Sequence, residues 1–163
     1  MGNCFGGVKE VRKYELKFMS LCQEGTFGNK DTLVDLLEAA KNDGQEDQIF
    51  GAHDDVGDLP IHKACESGNP TVLEWILETW ANKGLDINID EPNAEGLSPL
   101  YLVCYKGYQG QESVAKSNPE TQEKRMTIAK ILLQRNADVN WRSPLLNMTP
   151  LHWLAYQGDA EMV

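Results

Sequence analysis

Apolar residues recur along this chain at the three- and four-residue spacing of an amphipathic helix. Three stretches show the pattern, and each predicts a helix with one face suited to burial. The positions are Leu33, Leu36 and Leu37; Val72, Leu73, Ile76 and Leu77; and Ile128, Ile131 and Leu132. Because one such helix cannot shield its own apolar face, the helices are expected to stack on neighbours.

A second pattern predicts where another set of helices begins and ends. A proline suits the first helical turn, where its missing N–H is not needed, and Ser98 or Thr149 one residue earlier can cap the helix. The motif occurs as Leu59-Pro60-Ile61-His62, Ser98-Pro99-Leu100-Tyr101 and Thr149-Pro150-Leu151-His152, with a degenerate copy at 18–25. Glycines suited to a left-handed helix end follow these copies, at Gly25, Gly68, Gly107 and Gly158.

These coincident motifs resemble the ankyrin signature. Thr149-Pro150-Leu151-His152, followed by Ala155 and Gly158, is the most similar copy. Two further segments resemble the ends of ankyrin repeats: Asn136-Ala137-Asp138-Val139-Asn140 and Gly84-Leu85-Asp86-Ile87-Asn88. The resemblance implies an all-α solenoid of stacked helix-turn-helix units with short β-hairpin loops, about four repeats, the last of them incomplete.

The resemblance divides the chain into an N-terminal segment, residues 1–14, and a repeat domain, residues 15–163. The closing glycines lie farther apart than the roughly 33 residues of a regular repeat. Insertions are therefore expected near 40–49, 79–83 and 108–125. The longest, 108–125, is hydrophilic, and both a disordered excursion and a binding loop remain open. The last helix stops after one turn, so we expect the front fragment of a longer protein.

In the ankyrin family, partners dock on the hairpin tips and on the exposed face of the first helices. The resemblance implies tips at Asp54, Asp55, Val56 and Asp58; at Ala94, Glu95 and Leu97; and at Leu145, Leu146 and Met148. The implied exposed helix positions are Lys63, Glu66 and Ser67; Leu102, Tyr105 and Lys106; and Trp153, Tyr156 and Gln157.

Trp and Tyr are favoured interface anchors, so we predict an aromatic docking stripe for a protein partner. It comprises Leu102, Tyr105, Trp153 and Tyr156, flanked by Leu145, Leu146 and Met148. The alternative is that a following repeat covers some of these side chains.

No residue pattern predicts an enzyme. The resemblance implies structural hydrogen bonds for His62 and His152, and no Cys or carboxylate lies at metal-ligand spacing from them. Cys22, Cys65 and Cys104 hold equivalent repeat positions, which indicates core packing by reduced thiols. The sequence has no phosphate-binding glycine loop and no nucleophile elbow. We therefore predict no catalytic residues, cofactor, metal or small-molecule substrate.

Charge and the amino terminus add two expectations. The 163 residues carry a net charge of −10, which disfavours nucleic acid and favours a basic partner. Gly2 follows the initiator Met, as N-myristoylation requires, although Gly6 replaces the preferred Ser or Thr. Cys4 is placed for palmitoylation, and one acyl chain alone binds membrane only marginally. The alternative is a chance Met-Gly start.

The favoured function is therefore an interaction scaffold or adaptor in the cytoplasm, which acylation would hold at the cytoplasmic face of a membrane. A second hypothesis is a targeting arm of a larger enzyme, such as a kinase or acyltransferase, whose catalytic domain follows residue 163. A third is a structural spacer.

Overall fold

The computed structural model describes residues 6–24, 30–86, 88–106, 119–160 and 162. Its elements are α1 (Gly6–Glu24), α2 (Lys30–Asn42), α3 (Glu46–Phe50), α4 (Pro60–Ser67), α5 (Pro70–Asn82), α6 (Pro99–Lys106), α7 (Pro119–Gln134) and α8 (Pro150–Gln157). Within those ranges there is no β-strand. The all-α prediction is confirmed.

The helices stack in two rows. In one row α1 packs on α4, α4 on α6 and α6 on α8. In the other row α5 packs on α7, and the pairs α1–α2, α4–α5 and α6–α7 join the rows. Within the described residues, three helix pairs and α8 thus form a solenoid, as predicted.

The predicted helix boundaries are found where the sequence placed them. Pro60 and Pro150 begin α4 and α8, and the Thr149 hydroxyl accepts a hydrogen bond from the backbone N–H of His152. Both helices end at a left-handed glycine, Gly68 at φ 67° and Gly158 at φ 71°. Glycine adopts this conformation without the steric penalty of a Cβ. Gly25 and Gly107 lie outside the described residues.

One apolar core runs through the stack from Phe18 to Leu154. The predicted core thiols Cys22, Cys65 and Cys104 are buried and unbridged. Burial raises the pKa of Cys22 and of Cys104 to about 12 and also raises that of Cys65. These thiols are therefore packing residues rather than nucleophiles.

The first two predicted insertions contribute to this core. In the 40–49 stretch, whose composition is mostly polar, α2 continues to Asn42 and α3 then buries Ile49 together with the adjacent Phe50. In the 79–83 stretch, α5 is extended and buries Trp80. The Phe50 ring centroid lies 5.8 Å from that of Phe18 and 5.9 Å from that of Trp80. Aromatic packing therefore anchors both α3 and the end of α5, although the composition of the two insertions did not predict it.

The described residues also include part of the third predicted insertion and part of the N-terminal segment. Within 108–125, residues 119–125 form the start of α7, and the Arg125 guanidinium donates to the Val103 carbonyl at 3.1 Å. Residues 108–118 lie outside the described ranges. The helix α1 runs across the predicted boundary between residues 14 and 15. The Tyr14 hydroxyl donates to Asp43 Oδ2 at 2.8 Å, which ties α1 to the end of α2.

Candidate functional site

Three tight turns precede α4, α6 and α8, and we name them the first tip (residues 54–58), the second tip (93–97) and the third tip (143–148). Two backbone hydrogen bonds close each turn. In the second tip, for example, Asn93 N–H donates to the Leu97 carbonyl at 3.0 Å and Gly96 N–H to the Asn93 carbonyl at 2.9 Å. The expected β-hairpin loops are thus present as turns without strand ladders in the described residues.

A short polar side chain opens each tip and fixes its shape. Asp54 Oδ1 accepts from two backbone N–H groups of the first tip at 3.0 and 2.9 Å. Asn93 Oδ1 accepts two such bonds at 3.0 Å, and Ser143 Oγ accepts one at 3.3 Å. Such local bonds favour turns over regular structure. Asn147 has φ 52° in the third tip, a left-handed conformation that asparagine adopts more readily than most residues.

Neighbouring tips touch one another. A Cβ added to Gly57 would lie 2.7 Å from the backbone nitrogen of Ala94, and one added to Gly96 would lie 2.4 Å from Pro144 Cγ. Asn93 Nδ2 donates to Asp58 Oδ1 at 2.7 Å, which joins the first two tips. We name this continuous surface, formed by the three tips, the tip row.

Two histidines of the repeat motif and one tryptophan form hydrogen bonds to backbone groups in the tips or next to them. His62 Nδ1 accepts from the Leu59 N–H at 3.1 Å, so its Nε2–H donates to the Leu97 carbonyl at 3.2 Å. His152 Nδ1 accepts from the Thr149 N–H at 3.2 Å. The Trp141 indole donates to the Gly96 carbonyl at 3.1 Å. The structural role implied for the two histidines is the one observed.

Behind the first tip lies a lysine held by three carboxylates. Lys63 Nζ is 2.8 Å from Asp54, 2.8 Å from Asp58 and 3.5 Å from Glu66. Burial alone would lower the pKa of Lys63, but the hydrogen bonds to Asp54 and Asp58 outweigh it and raise this pKa. Burial alone would raise the pKa of Asp54, but the hydrogen bond from Lys63 and the backbone bonds outweigh it, so this pKa is lowered. The expectation that Lys63 is exposed was wrong, since its aliphatic stem is buried in reaching these carboxylates.

Around the third tip the surface is apolar. Leu145 is 88% exposed, Leu146 53% and Tyr156 65%, so these three predicted docking residues are presented to solvent. Tyr105 and Met148 are half-buried. Leu102 and Trp153, predicted to be exposed, are buried at 3% and 7% exposure, and that part of the prediction was wrong.

Leu102 and Trp153 are buried because they belong to a small second core under the second and third tips, with Leu97 and Tyr101. The Trp153 indole donates to the Tyr101 hydroxyl. The Trp153 ring also packs edge-on against the rings of Tyr105, at 4.9 Å, and Tyr156, at 5.8 Å. Sequence reasoning missed Tyr101, and its signal was a tyrosine in the motif position held elsewhere by His62 and His152.

A second apolar surface lies at the end of the stack. Leu133, Val139 and Leu151 are 44%, 50% and 52% exposed and line a cavity of about 280 Å³. Ile61 and Leu100, the motif equivalents of Leu151, are buried at 1% and 3% exposure. This end face thus has the apolar character of the surfaces that pack between repeats inside the stack.

Two further features concern sites outside the tip row. Within the described ranges, no three His, Cys, Asp or Glu side chains are grouped to hold a metal ion. Among the described helices, none combines the length and the hydropathy needed to cross a membrane. The predicted acylation residues Gly2 and Cys4 lie outside the described residues.

The two stacked rows and the row of tips define a helix-pair repeat solenoid. Residues 61–116 match the family model for ankyrin repeats. This part of the chain therefore has ankyrin repeats, as its motifs indicated, and ankyrin repeats indicate a protein partner.

The chain aligns with short stretches of much longer proteins. The palmitoyltransferase AKR1 of Lachancea kluyveri is 27% identical over 102 residues, 63% of this chain and 11% of that protein. The palmitoyltransferase AKR1 of Kluyveromyces lactis is 24% identical over 135 residues, 78% of this chain and 15% of that protein. Alpha-latrotoxin-Lh1a of Latrodectus hasselti is 24% identical over 153 residues, 93% of this chain and 10% of that protein.

Proposed function

We propose that this chain is a protein-interaction scaffold that binds its partner along the tip row and the adjoining face of α8. The observation that carries the proposal is the exposure of Leu145, Leu146 and Tyr156 around a rigidly bonded frame. Large apolar side chains clustered on a surface are typical of interaction sites. Binding then requires shape and side-chain complementarity, with no covalent step.

The seven residues of the predicted stripe divide into two roles. Contact with the partner is assigned to the exposed residues Leu145, Leu146 and Tyr156, and to the accessible edges of Tyr105 and Met148. Leu102 and Trp153 support them from below, because both are buried. A rigid support limits the side-chain entropy that is lost on binding.

Affinity capture with a surface variant tests the proposal. Wild type and the double variant Leu145→Ser/Tyr156→Ser are immobilised, and proteins retained from an extract of the native source are quantified by mass spectrometry. We expect at least one partner to be reduced about tenfold or more, since hot-spot side chains contribute at least ~1.4 kcal/mol. Leu16→Ser, which alters a 56% exposed leucine on α1, is the matched control and should retain the partner.

Identical retained sets for wild type and double variant would overturn the docking surface, provided that the variant unfolds at the same urea concentration. Loss of the same partner by Leu16→Ser would do so as well, because binding would then follow general surface hydrophobicity.

Membrane tethering is a further part of the proposal, and it rests on Gly2 and Cys4 in the sequence. Two acyl chains would hold the N-terminus at a membrane, where one chain binds weakly. In the native host, Gly2→Ala should abolish membrane association and Cys4→Ser should reduce it, as measured by fractionation. Intact-mass measurement that finds both residues unmodified would contradict tethering.

A second candidate function is a regulatory arm of a larger enzyme. It is favoured by the two relatives named palmitoyltransferase, which match 63% and 78% of this chain. The toxin relative matches 93% at similar identity, which indicates that similarity follows the repeats rather than one activity. Sequencing the full transcript tests this candidate: an acyltransferase or kinase domain in the same reading frame supports it, and an open reading frame without one contradicts it.

A further inference from the structure

We infer that the tip row accommodates an extended partner segment with basic residues over the first tip and apolar residues over the third. This inference rests on the proposed function and specifies the partner's chemistry. It is drawn from three properties of the tip row: continuity, charge and exposed apolar area.

Continuity makes the three tips one recognition surface. The close approaches at Gly57 and Gly96 leave no gap between neighbouring tips. The bond from Asn93 to Asp58 and that from Trp141 to the Gly96 carbonyl fix their relative positions. A segment lying along the row therefore meets all three tips in chain order.

Negative charge is concentrated at the first end of the row. The single cation Lys63 is surrounded by the carboxylates of Asp54, Asp58 and Glu66, so the cluster keeps an excess of negative charge. Asp55 on the same tip and Glu95 on the second tip are exposed and add to it. Complementary charge favours lysine or arginine at this end of the partner.

At the other end of the row the chemistry changes. The third tip has no carboxylate, and its exposed residues include Leu145 and Leu146. The charged side chain nearest to it in sequence is Arg142, which donates to the Asn147 carbonyl at 3.0 Å. Apolar partner residues are therefore favoured here, and a uniformly basic segment would leave these leucines exposed.

The distance between the two ends sets the spacing within the partner. Packed helices lie about 8–10 Å apart, so two repeats separate the first and third tips by about 20 Å. An extended chain covers that distance in about six residues. The inferred recognition element is thus a basic pair and an apolar pair separated by about six residues.

Fluorescence anisotropy with labelled synthetic peptides tests the inference on the whole chain. The probe has Lys-Arg at one end, Leu-Leu at the other and about six Ser and Thr residues between them. One comparison peptide carries Asp-Glu in place of Lys-Arg, and another shortens the spacer to about two residues. We expect the probe to bind about tenfold tighter than either one and to weaken as salt is added.

Variants of the tip row locate the effect. Asp55→Asn/Glu95→Gln should remove most of the preference for the basic peptide over the acidic one while leaving Asp54 and Asp58 to hold Lys63. Leu145→Ser/Leu146→Ser should weaken binding of every peptide. Glu38→Gln/Glu74→Gln, at exposed positions of α2 and α5, is the charge-matched control and should keep the preference.

Equal affinity for basic and acidic peptides, an unchanged preference in Asp55→Asn/Glu95→Gln, or no saturable binding of any peptide would overturn the inference. The proposed function is tested separately by capture of the native partner. A partner that is lost by Leu145→Ser/Tyr156→Ser but retained by Asp55→Asn/Glu95→Gln would leave the scaffold intact and reject this partner chemistry.

Discussion

The first and third tips have similar closed turns but different exposed residues. In the first tip Asp54 accepts backbone bonds and also holds Lys63, while the exposed residues are the charged Asp55 and the smaller apolar Val56. In the third tip Ser143 takes the framing role while Leu145 and Leu146 face solvent. In the third tip, the residue that sets the turn is thus different from the residues that are exposed to solvent.

The two tips should also respond differently to substitution, because their side chains differ in burial. Near the first tip Lys63 is buried, and it depends on the carboxylates that surround it. On the third tip Leu145 is exposed and packs little against the rest of the protein. Four substitutions, three of them with matched controls, test this contrast.

The largest loss of stability is expected for Lys63→Met. Removing a buried cation from its partners leaves carboxylates uncompensated, which typically costs about 4 kcal/mol. The control Lys124→Met removes an ion pair whose side chains are 49% and 69% exposed, and it should cost less than about 0.5 kcal/mol. Urea unfolding gives both free energies. Equal losses would contradict the ion cluster as a structural element.

Gly57→Ala should destabilise the protein by about 3 kcal/mol. The substitution strains a left-handed backbone, for about 1–2 kcal/mol, and adds a contact with the backbone of Ala94. Gly68→Ala is the control, because its φ is also positive but its Cβ would meet nothing within 4 Å. We expect a loss of about 1 kcal/mol there. If thermal or urea unfolding shows the two variants alike, the tips are not in firm contact.

Stability should fall below pH 6.5 through His62. Burial lowers the pKa of this histidine although Asp58 opposes the shift, so the unfolded chain takes up the proton first. The contribution of His62 to stability is complete above its unfolded-state pKa of about 6.5. It is lost as the pH falls towards the folded-state pKa, by at most about 1.4 kcal/mol per pH unit.

Urea unfolding at pH 7.5 and 5.5 checks the His62 prediction. His62→Gln should show a smaller fall between the two pH values than wild type does. The control His152→Gln, at an exposed position, should retain the wild-type fall. An unchanged pH dependence in His62→Gln would show that other groups cause it.

The smallest change in stability is expected for Leu145→Ser. A side chain that is 88% exposed loses little on truncation, so the free energy of unfolding should change by less than about 0.5 kcal/mol. Differential scanning calorimetry measures the change. A loss above ~1 kcal/mol would mean that Leu145 packs in the fold and is not presented to a partner.

The sequence predicts the fold well because the residues that begin and end the helices act through local backbone geometry. The prolines that begin α4 and α8, the left-handed glycines that end them and the turn residue Asn147 all follow from backbone chemistry. Such features depend on neighbours in the chain and can be recognised without tertiary structure.

The candidate site is predicted less completely, because burial depends on the neighbouring repeat. Trp153 holds a helix position that is exposed in a single repeat, yet its ring reaches Tyr101 of the preceding one. Lys63 differs, because it folds back on Asp54 and Asp58 of the tip that precedes its own helix. The burial of Phe50 was also missed, because its contacts are with Phe18 and Trp80, which are distant in the sequence. The polar composition near 40–49 gave no sign of them.

Amide hydrogen exchange tests most directly whether the tip row is the binding surface. The chain is compared alone and bound to the partner that wild type retains and Leu145→Ser/Tyr156→Ser loses. We predict slower exchange in the third tip and in α8, with α1 and α2 unchanged. Protection confined to α5, α7 or the end face around Leu133 and Leu151 would contradict the tip row as the docking surface.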